Sequence, residues 1–252
     1  MLAGVFDGNS TGANASQDSQ QVDRSGTKFN LRNGTLWIGE LQYTLNQPST
    51  GNLDTGTSDG LPGVYKLGFW YNNNRFADQG FDTNGLSLAD PNSNGIGYPH
   101  RGNYSIYGII DQTIWRKSST SQRTLNFVTR VMAAPGDRNP ISFSANAGLV
   151  LHDPLPGRNN DLAGIGIGYA KVGSHAIDYD QATASLNGGF APVRSSETFV
   201  EATYQYRITP WWNVQADAQY TFNVGGGIVD PNNPTQKIGN ALVVGLRTNI
   251  VF

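Results

Sequence analysis

The chain has no cysteine, so disulfides and thiolate metal sites are excluded, and an oxidising compartment poses no risk of mispairing. Charge is scarce as well. Asp, Glu, Lys and Arg make up only 14% of the 252 residues, and 17 basic against 19 acidic side chains leave −2 with no block of either sign. A nucleic-acid partner is therefore not expected. No apolar run of about 18 residues exists, which excludes a transmembrane helix but says nothing of strands that cross a membrane. Histidine is limited to His100, His152 and His175, and no serine sits in a nucleophile elbow, so a catalytic triad is not supported. Met1 to Asp7 carries neither a basic segment nor a cleavage site. Either the chain stays in the cytoplasm or it is the later part of a longer one.

Mean hydropathy is −0.39, so apolar residues do not replace the missing charge. Neutral polar residues do, alongside 31 Gly, 11 Tyr, 11 Phe and 5 Trp. That mixture suits many short strands, long polar loops and interfacial aromatics. Two readings follow: a membrane barrel, or a secreted or surface β-sandwich that binds carbohydrate.

Alternation of apolar and polar residues over about 9–11 positions, the length a tilted membrane strand needs, recurs ten times. The expected strands are Leu2 to Asp7, Thr35 to Asn46, Val64 to Asn72, Tyr104 to Arg116, Thr124 to Ala133, Ile141 to His152, Leu162 to Val172, Thr198 to Ile208, Trp212 to Phe222 and Asn240 to Phe252. In the third, Tyr65, Leu67, Phe69 and Tyr71 share one face and Lys66, Gly68, Trp70 and Asn72 the other. In Tyr104 to Arg116 the parity is ambiguous, as a bulge would make it. A sandwich would carry many charges on its solvent face; here the polar faces are nearly uncharged in several strands, which favours a lumen.

Connection lengths alternate. Long ones at Gly8 to Lys28, Asn74 to Gly102, Gly173 to Ser196 and Asn223 to Gly239 fall on the same side as Ala134 to Pro140. The mostly shorter ones, Gln47 to Leu61, Lys117 to Arg123, Asp153 to Asn160 and Thr209-Pro210, fall on the opposite side. This is the pattern of extracellular loops and periplasmic turns.

Seven ordered segments then resemble the carbohydrate-selective porin family (OprB type), in its C-terminal portion. They are Gly63 to Trp70 (GVYKLGFW), Tyr107 to Gln112 (YGIIDQ), Ala134 to Pro140 (APGDRNP), Ser196 to Glu201, Pro210 to Gln215 (PWWNVQ), Asp217 to Tyr220, and Asn240 to Thr248 leading to Phe252. The resemblance implies one all-β domain over 1–252, an antiparallel transmembrane barrel of the bacterial outer membrane, with ten strands here out of about sixteen. It further implies that a signal peptide and N-terminal strands lie outside this stretch. The expected function is passive diffusion of monosaccharides or oligosaccharides. Expected partners are outer-membrane lipid and, through the Phe252 strand, the barrel-assembly machinery; no cofactor and no enzymatic activity are expected.

Parity directs Lys66, Arg130, Arg207 and Arg247 into the lumen against Glu40, Glu197, Glu201 and Asp217. Balanced charges among Asn, Gln and Thr offer donors and acceptors to a neutral polyol, whereas a ring of one sign would select ions. These pairs equally suit a bracing role. Trp70, also inward, could stack a sugar ring. Gly164, Gly166 and Gly168 alternate strictly with no helix after them, so they form no phosphate loop. Asn74 to Gly102 is long enough to fold inward, which would make its Arg75, Asp78 and Arg101 candidates for a constriction, although a solvated loop is the plainer expectation. For catalysis, Glu197 and Glu201 stand roughly 13 Å apart on one strand, too far for a glycosidase pair. Parity leaves Glu201 opposite either Asp217 or Gln219. Only the first brings two carboxylates to about 5 Å, and neutralisation by Arg207 or Arg130 is the plainer outcome there.

Overall fold

The computed structural model describes residues 1–9, 11–12, 17–27, 34–46, 60–118 and 121–251. Ten strands form one antiparallel sheet in which every chain-neighbour pairs: β1 (Leu2–Asp7), β2 (Thr35–Leu45), β3 (Gly63–Asp82), β4 (Gly97–Arg116), β5 (Thr124–Ala133), β6 (Ile141–His152), β7 (Leu162–Val172), β8 (Ser196–Thr209), β9 (Trp212–Phe222) and β12 (Ala241–Ile250). Between β9 and β12 a small separate pair, β10 (Val229–Asp230) and β11 (Asn233–Lys237), stands apart from the main sheet. Among the described residues two α-helices interrupt the loops, α1 (Ser19–Val22) and α2 (Ser174–Asn187), together with a short 3-10 turn at Val224–Gly226. Among the described residues β1 and β12 pair with no further strand, so the sheet is open at both edges. Phe252, expected to end the last strand, and most of the expected Gln47 to Leu61 connection lie outside the described residues.

The expected alternation sets the faces. Trp37, Leu41 and Tyr43 of β2 sit opposite Tyr71, Leu67 and Tyr65 of β3, and Leu67 and Phe69 oppose Gly108 and Ile106 of β4. The same apolar face continues through Val131, Leu149, Ile165, Ile167 and Val200 to Val244 and Leu246. These side chains are bare: Leu67 is 54% exposed, Ile165 62% and Leu246 78%. Leaving each in water would forgo roughly 1.5–3 kcal/mol of burial, so this face fits hydrocarbon. Aromatics band it at both ends. Trp37, Tyr71, Tyr104, Tyr169 and Tyr220 lie toward one end, and Tyr43, Tyr65, Tyr204 and Tyr206 toward the other. Interfacial girdles of this kind flank the apolar band of a membrane barrel.

The interior is inverted relative to a soluble protein. Among the described residues the fully buried apolar side chains are Val172 and Ala176, whereas Asp78, Asp82, Asn103, Ser105, Thr113, Asp161, Asp180 and Thr221 are buried and polar. A sandwich needs a dry apolar layer between two sheets; one sheet with an exposed apolar face has none.

Two expectations need correction, and a third is borne out. Asn74 to Gly102 is not a loop: β3 and β4 continue far past the membrane band, pairing Arg75 with Arg101 and Phe76 with His100, and only residues 83–96 connect them. The Gly173 to Ser196 connection contains α2, whose polar sequence shows no apolar stripe. Its start is anchored by backbone bonds from Gly173 N to Pro140 O at 2.8 Å and from His175 N to Gly136 O at 3.2 Å. A Cβ at Gly173 would stand 2.2 Å from Asn139 O, so that close approach requires glycine. Finally, the β4 ambiguity is a bulge between Thr113 and Trp115, which leaves Ile114 and Trp115 both exposed.

Candidate functional site: the polar face of the sheet

Following strand partners across the sheet gives rows of side chains on the polar face. One row runs Glu40, Gly68, Tyr107, Met132, Ser144, Ala170, Glu197. The next runs Gln42, Lys66, Ile109, Arg130, Asn146, Gly168, Phe199, Thr221. A third runs Asp111, Val128, Gly148, Gly166, Glu201, Gln219. Beyond these, Asp217 pairs with Thr203 and Gly245, Arg247 with Gln215, and Arg207 with Asn213. Trp70 lies one row to the other side of Glu40, between Ile38 and Ser105.

All nine expected residues thus share the polar face, but not one ring. Lys66 and Arg130 share a row, as do Glu40 and Glu197; the others are spread over successive rows. Asp111 joins this face, and sequence parity missed it because the β4 bulge obscured the strand.

Hydrogen bonding divides the group. Glu40 accepts from the Tyr107 hydroxyl at 2.8 Å and from the Gln42 amide at 2.5 Å, with Lys66 Nζ 4.0 Å away. Glu197 accepts from the Gly225 amide at 2.6 Å, tying β8 to the loop before β10. Arg207 donates from Nη2 to Pro210 O at 3.2 Å and folds over the β8–β9 turn. These three brace the wall. Arg130 Nη2 reaches the Asn146 side-chain oxygen at 3.0 Å once that amide is oriented to satisfy both groups. Glu201, Asp217 and Arg247 make no side-chain hydrogen bond or ion pair to other described residues, leaving their charges open to whatever occupies the polar side.

The register also separates the two carboxylates weighed as a retaining-glycosidase pair. Glu201 stands opposite Gln219, and Asp217 opposite Thr203. The register that would have paired the two carboxylates is not the one formed, which removes the arrangement a retaining glycosidase needs.

Both ends of the sheet carry polar knots that sequence reasoning missed. At the loop end the buried Asp78 carboxylate accepts from the Gly80 and Phe81 amides at 2.7 and 2.9 Å. His100 Nε2 at 2.7 Å and His175 Nδ1 at 2.8 Å meet the same group. Asp137 lies beside them, 3.6 Å from His100 Nδ1 and bonded by both Arg138 Nε and Nη2. The Arg138 guanidinium holds the Asp137 carboxyl below its usual range, and Arg138 is raised in return. Arg75, Asp78 and Arg101 thus stand on the β3–β4 hairpin and not on an infolded loop, and Asp78 is engaged by two histidines. At the turn end Asp161 accepts from Arg158 at 2.8 and 2.9 Å, from the Tyr204 hydroxyl at 2.8 Å and from the Arg207 amide at 2.9 Å. Burial pushes its carboxyl up, but these donors outweigh burial and hold it below the usual range. No group of His, Asp and Glu among the described residues is placed to hold a metal ion.

An antiparallel sheet with an aromatic-banded apolar face, a polar face and long loops at one end has the features of part of an outer-membrane β-barrel wall. The chain belongs to the family described as Carbohydrate-selective porin, OprB family, which it matches over residues 1–252. It is 24% identical over 240 residues to Porin B of Pseudomonas aeruginosa, covering 92% of this chain and 47% of that protein. It shares its fold with the high-pH structure of Pseudomonas putida OprB, at a TM-score of 0.76 and 21% identity, over 98% of this chain and 54% of that one. The chain therefore spans about half the length of these relatives.

Proposed function

We propose that the polar face lines a channel through which uncharged sugars diffuse passively across the bacterial outer membrane. The observation that carries this is the composition of that face: Lys66, Arg130, Arg207 and Arg247 are distributed among Glu40, Asp111, Glu197, Glu201 and Asp217, interleaved with Asn, Gln and Thr. Such a wall offers hydrogen bonds to hydroxyls without the single-sign field that would favour an ion. Membership of a carbohydrate-selective family supports the substrate class.

The ten strands act in this reading as one part of a single larger barrel of about sixteen strands. An unpaired strand edge cannot face hydrocarbon, because each bare amide or carbonyl costs several kcal/mol there. The free edges of β1 and β12 support that view. The apolar face would meet lipid, and the last strand with its terminal aromatic Phe252 would address the assembly machinery.

Proteoliposomes carrying the protein should swell in glucose and short oligosaccharides faster than in similarly sized amino-acid ions. Equal rates for the two solute classes would overturn the selectivity.

A further inference from the structure

Two aromatic rings on the polar face lie along the wall instead of projecting from it. Glu40, Gly68 and Tyr107 share one row on β2, β3 and β4, and the Tyr107 hydroxyl reaches over β3 to Glu40 Oε2 at 2.8 Å. Two strand spacings amount to about 9.6 Å, which a tyrosine spans only when laid down along the row. Its ring crosses Gly68, where a Cβ would stand 2.2 Å from the ring Cζ. Phe199 does the same on the far side of the sheet. It lies over its row partner Gly168, where a Cβ would be 2.1 Å from the ring Cε1. Each glycine is thus the absence that lets a ring rest on the backbone.

A ring held this way turns one face to the backbone and leaves the other toward the polar side. Hydrogen-bonding groups stand at its margin: Gln42 and Lys66 near Tyr107, Asn146 and Glu201 near Phe199. An apolar plate rimmed by amides and charges matches a pyranose, which has an apolar C–H face and a rim of hydroxyls. Trp70, the stacking residue expected from sequence, has no glycine beneath it and sits between Ile38 and Ser105.

We propose that Tyr107 and Phe199 are two stacking platforms for pyranose rings passing along this face, an assignment that rests on the sugar-channel reading above. The rival role is purely structural, since an aromatic ring can shield a strand glycine with no ligand involved.

Ion current through planar bilayers holding the intact channel, titrated with maltotriose, separates the two. Phe199→Leu and Tyr107→Leu keep an apolar cover over the glycines but remove the plate. Both should raise the half-blocking maltotriose concentration about fivefold, the scale of one aromatic contact, and leave the sugar-free conductance within about twofold. Phe199→Tyr and Tyr107→Phe keep the rings and should restore wild-type block; folding of every variant is checked by heat-modifiable gel mobility. Unchanged block in both leucine variants, against a wild type that maltotriose does block, would overturn the platforms and leave the sugar channel standing. A wild type that maltotriose does not block would also overturn the platforms, and one that in addition passes sugars no faster than ions of equal size would overturn the channel reading itself.

Discussion

His175 Nδ1 lies 2.8 Å from Asp78 Oδ2, joining the first turn of α2 to the outer part of β3 across 97 positions of sequence. His100 Nε2 meets the same oxygen at 2.7 Å from β4. One carboxylate, 3% exposed, therefore fixes the helix to the tall β3–β4 hairpin, while Asp137 brings in the β5–β6 loop.

Asp78→Ala should release this junction. Four donors would lose their acceptor, and buried unsatisfied groups cost about 1–3 kcal/mol each. The strands below should hold, so the expected result is faster cleavage between residues 173 and 195 in limited proteolysis, with unchanged heat-modifiable mobility of the barrel.

Acid should loosen both ends of the wall. Asp137 and Asp161 have folded-state pKa values below their ordinary ones. Each therefore contributes stability that is fully present above the unfolded carboxylate value of about 3.9 and is lost as pH falls through the lower folded value. Unfolding transitions should be flat from pH 7 to about 4 and drop below that. Asp161→Asn, which keeps the shape but removes the charge facing Arg158, should lower stability at pH 7 and abolish part of the acid dependence.

Ion selectivity should answer to the open charges and ignore the braced ones. Arg247→Glu or Glu201→Gln should shift the reversal potential in a salt gradient, changing the cation-to-anion permeability ratio by roughly twofold. Glu197→Gln, whose acceptor is tied to the Gly225 amide, should leave that ratio close to wild type.

Leu67→Arg tests the apolar face. Leu67 is 54% exposed, and in a water-facing sheet the change would be nearly neutral. Facing the bilayer midplane, it should cost about 2–4 kcal/mol, measured by denaturant unfolding in lipid vesicles.

Strand positions in the membrane band were legible because period-two alternation there is enforced by hydrocarbon on one side. β5, β6, β7 and β9 have the ends expected of them. Above the band that pressure vanishes: Asn74, Arg75 and Pro99 read as loop, yet the hairpin continues through them. α2 was equally hidden, since its face is held by Arg194 on Asp180 at 2.7 Å and by His175, with no apolar stripe to betray it. Parity told which face Glu201 occupies but not its partner, because a two-residue slip preserves every face. The flat aromatics were missed for a related reason: Tyr107 reads as one more alternating residue until Gly68 is known to lie beside it.

The β3–β4 hairpin rises past the apolar band by about ten residues on β3, on the order of 33 Å at strand rise. A solute arriving from outside would run beside that palisade before it reaches the mouth. Substitutions near the crest, around Asp82 and Tyr98, should then alter how often solutes are captured and barely touch how fast they cross once inside.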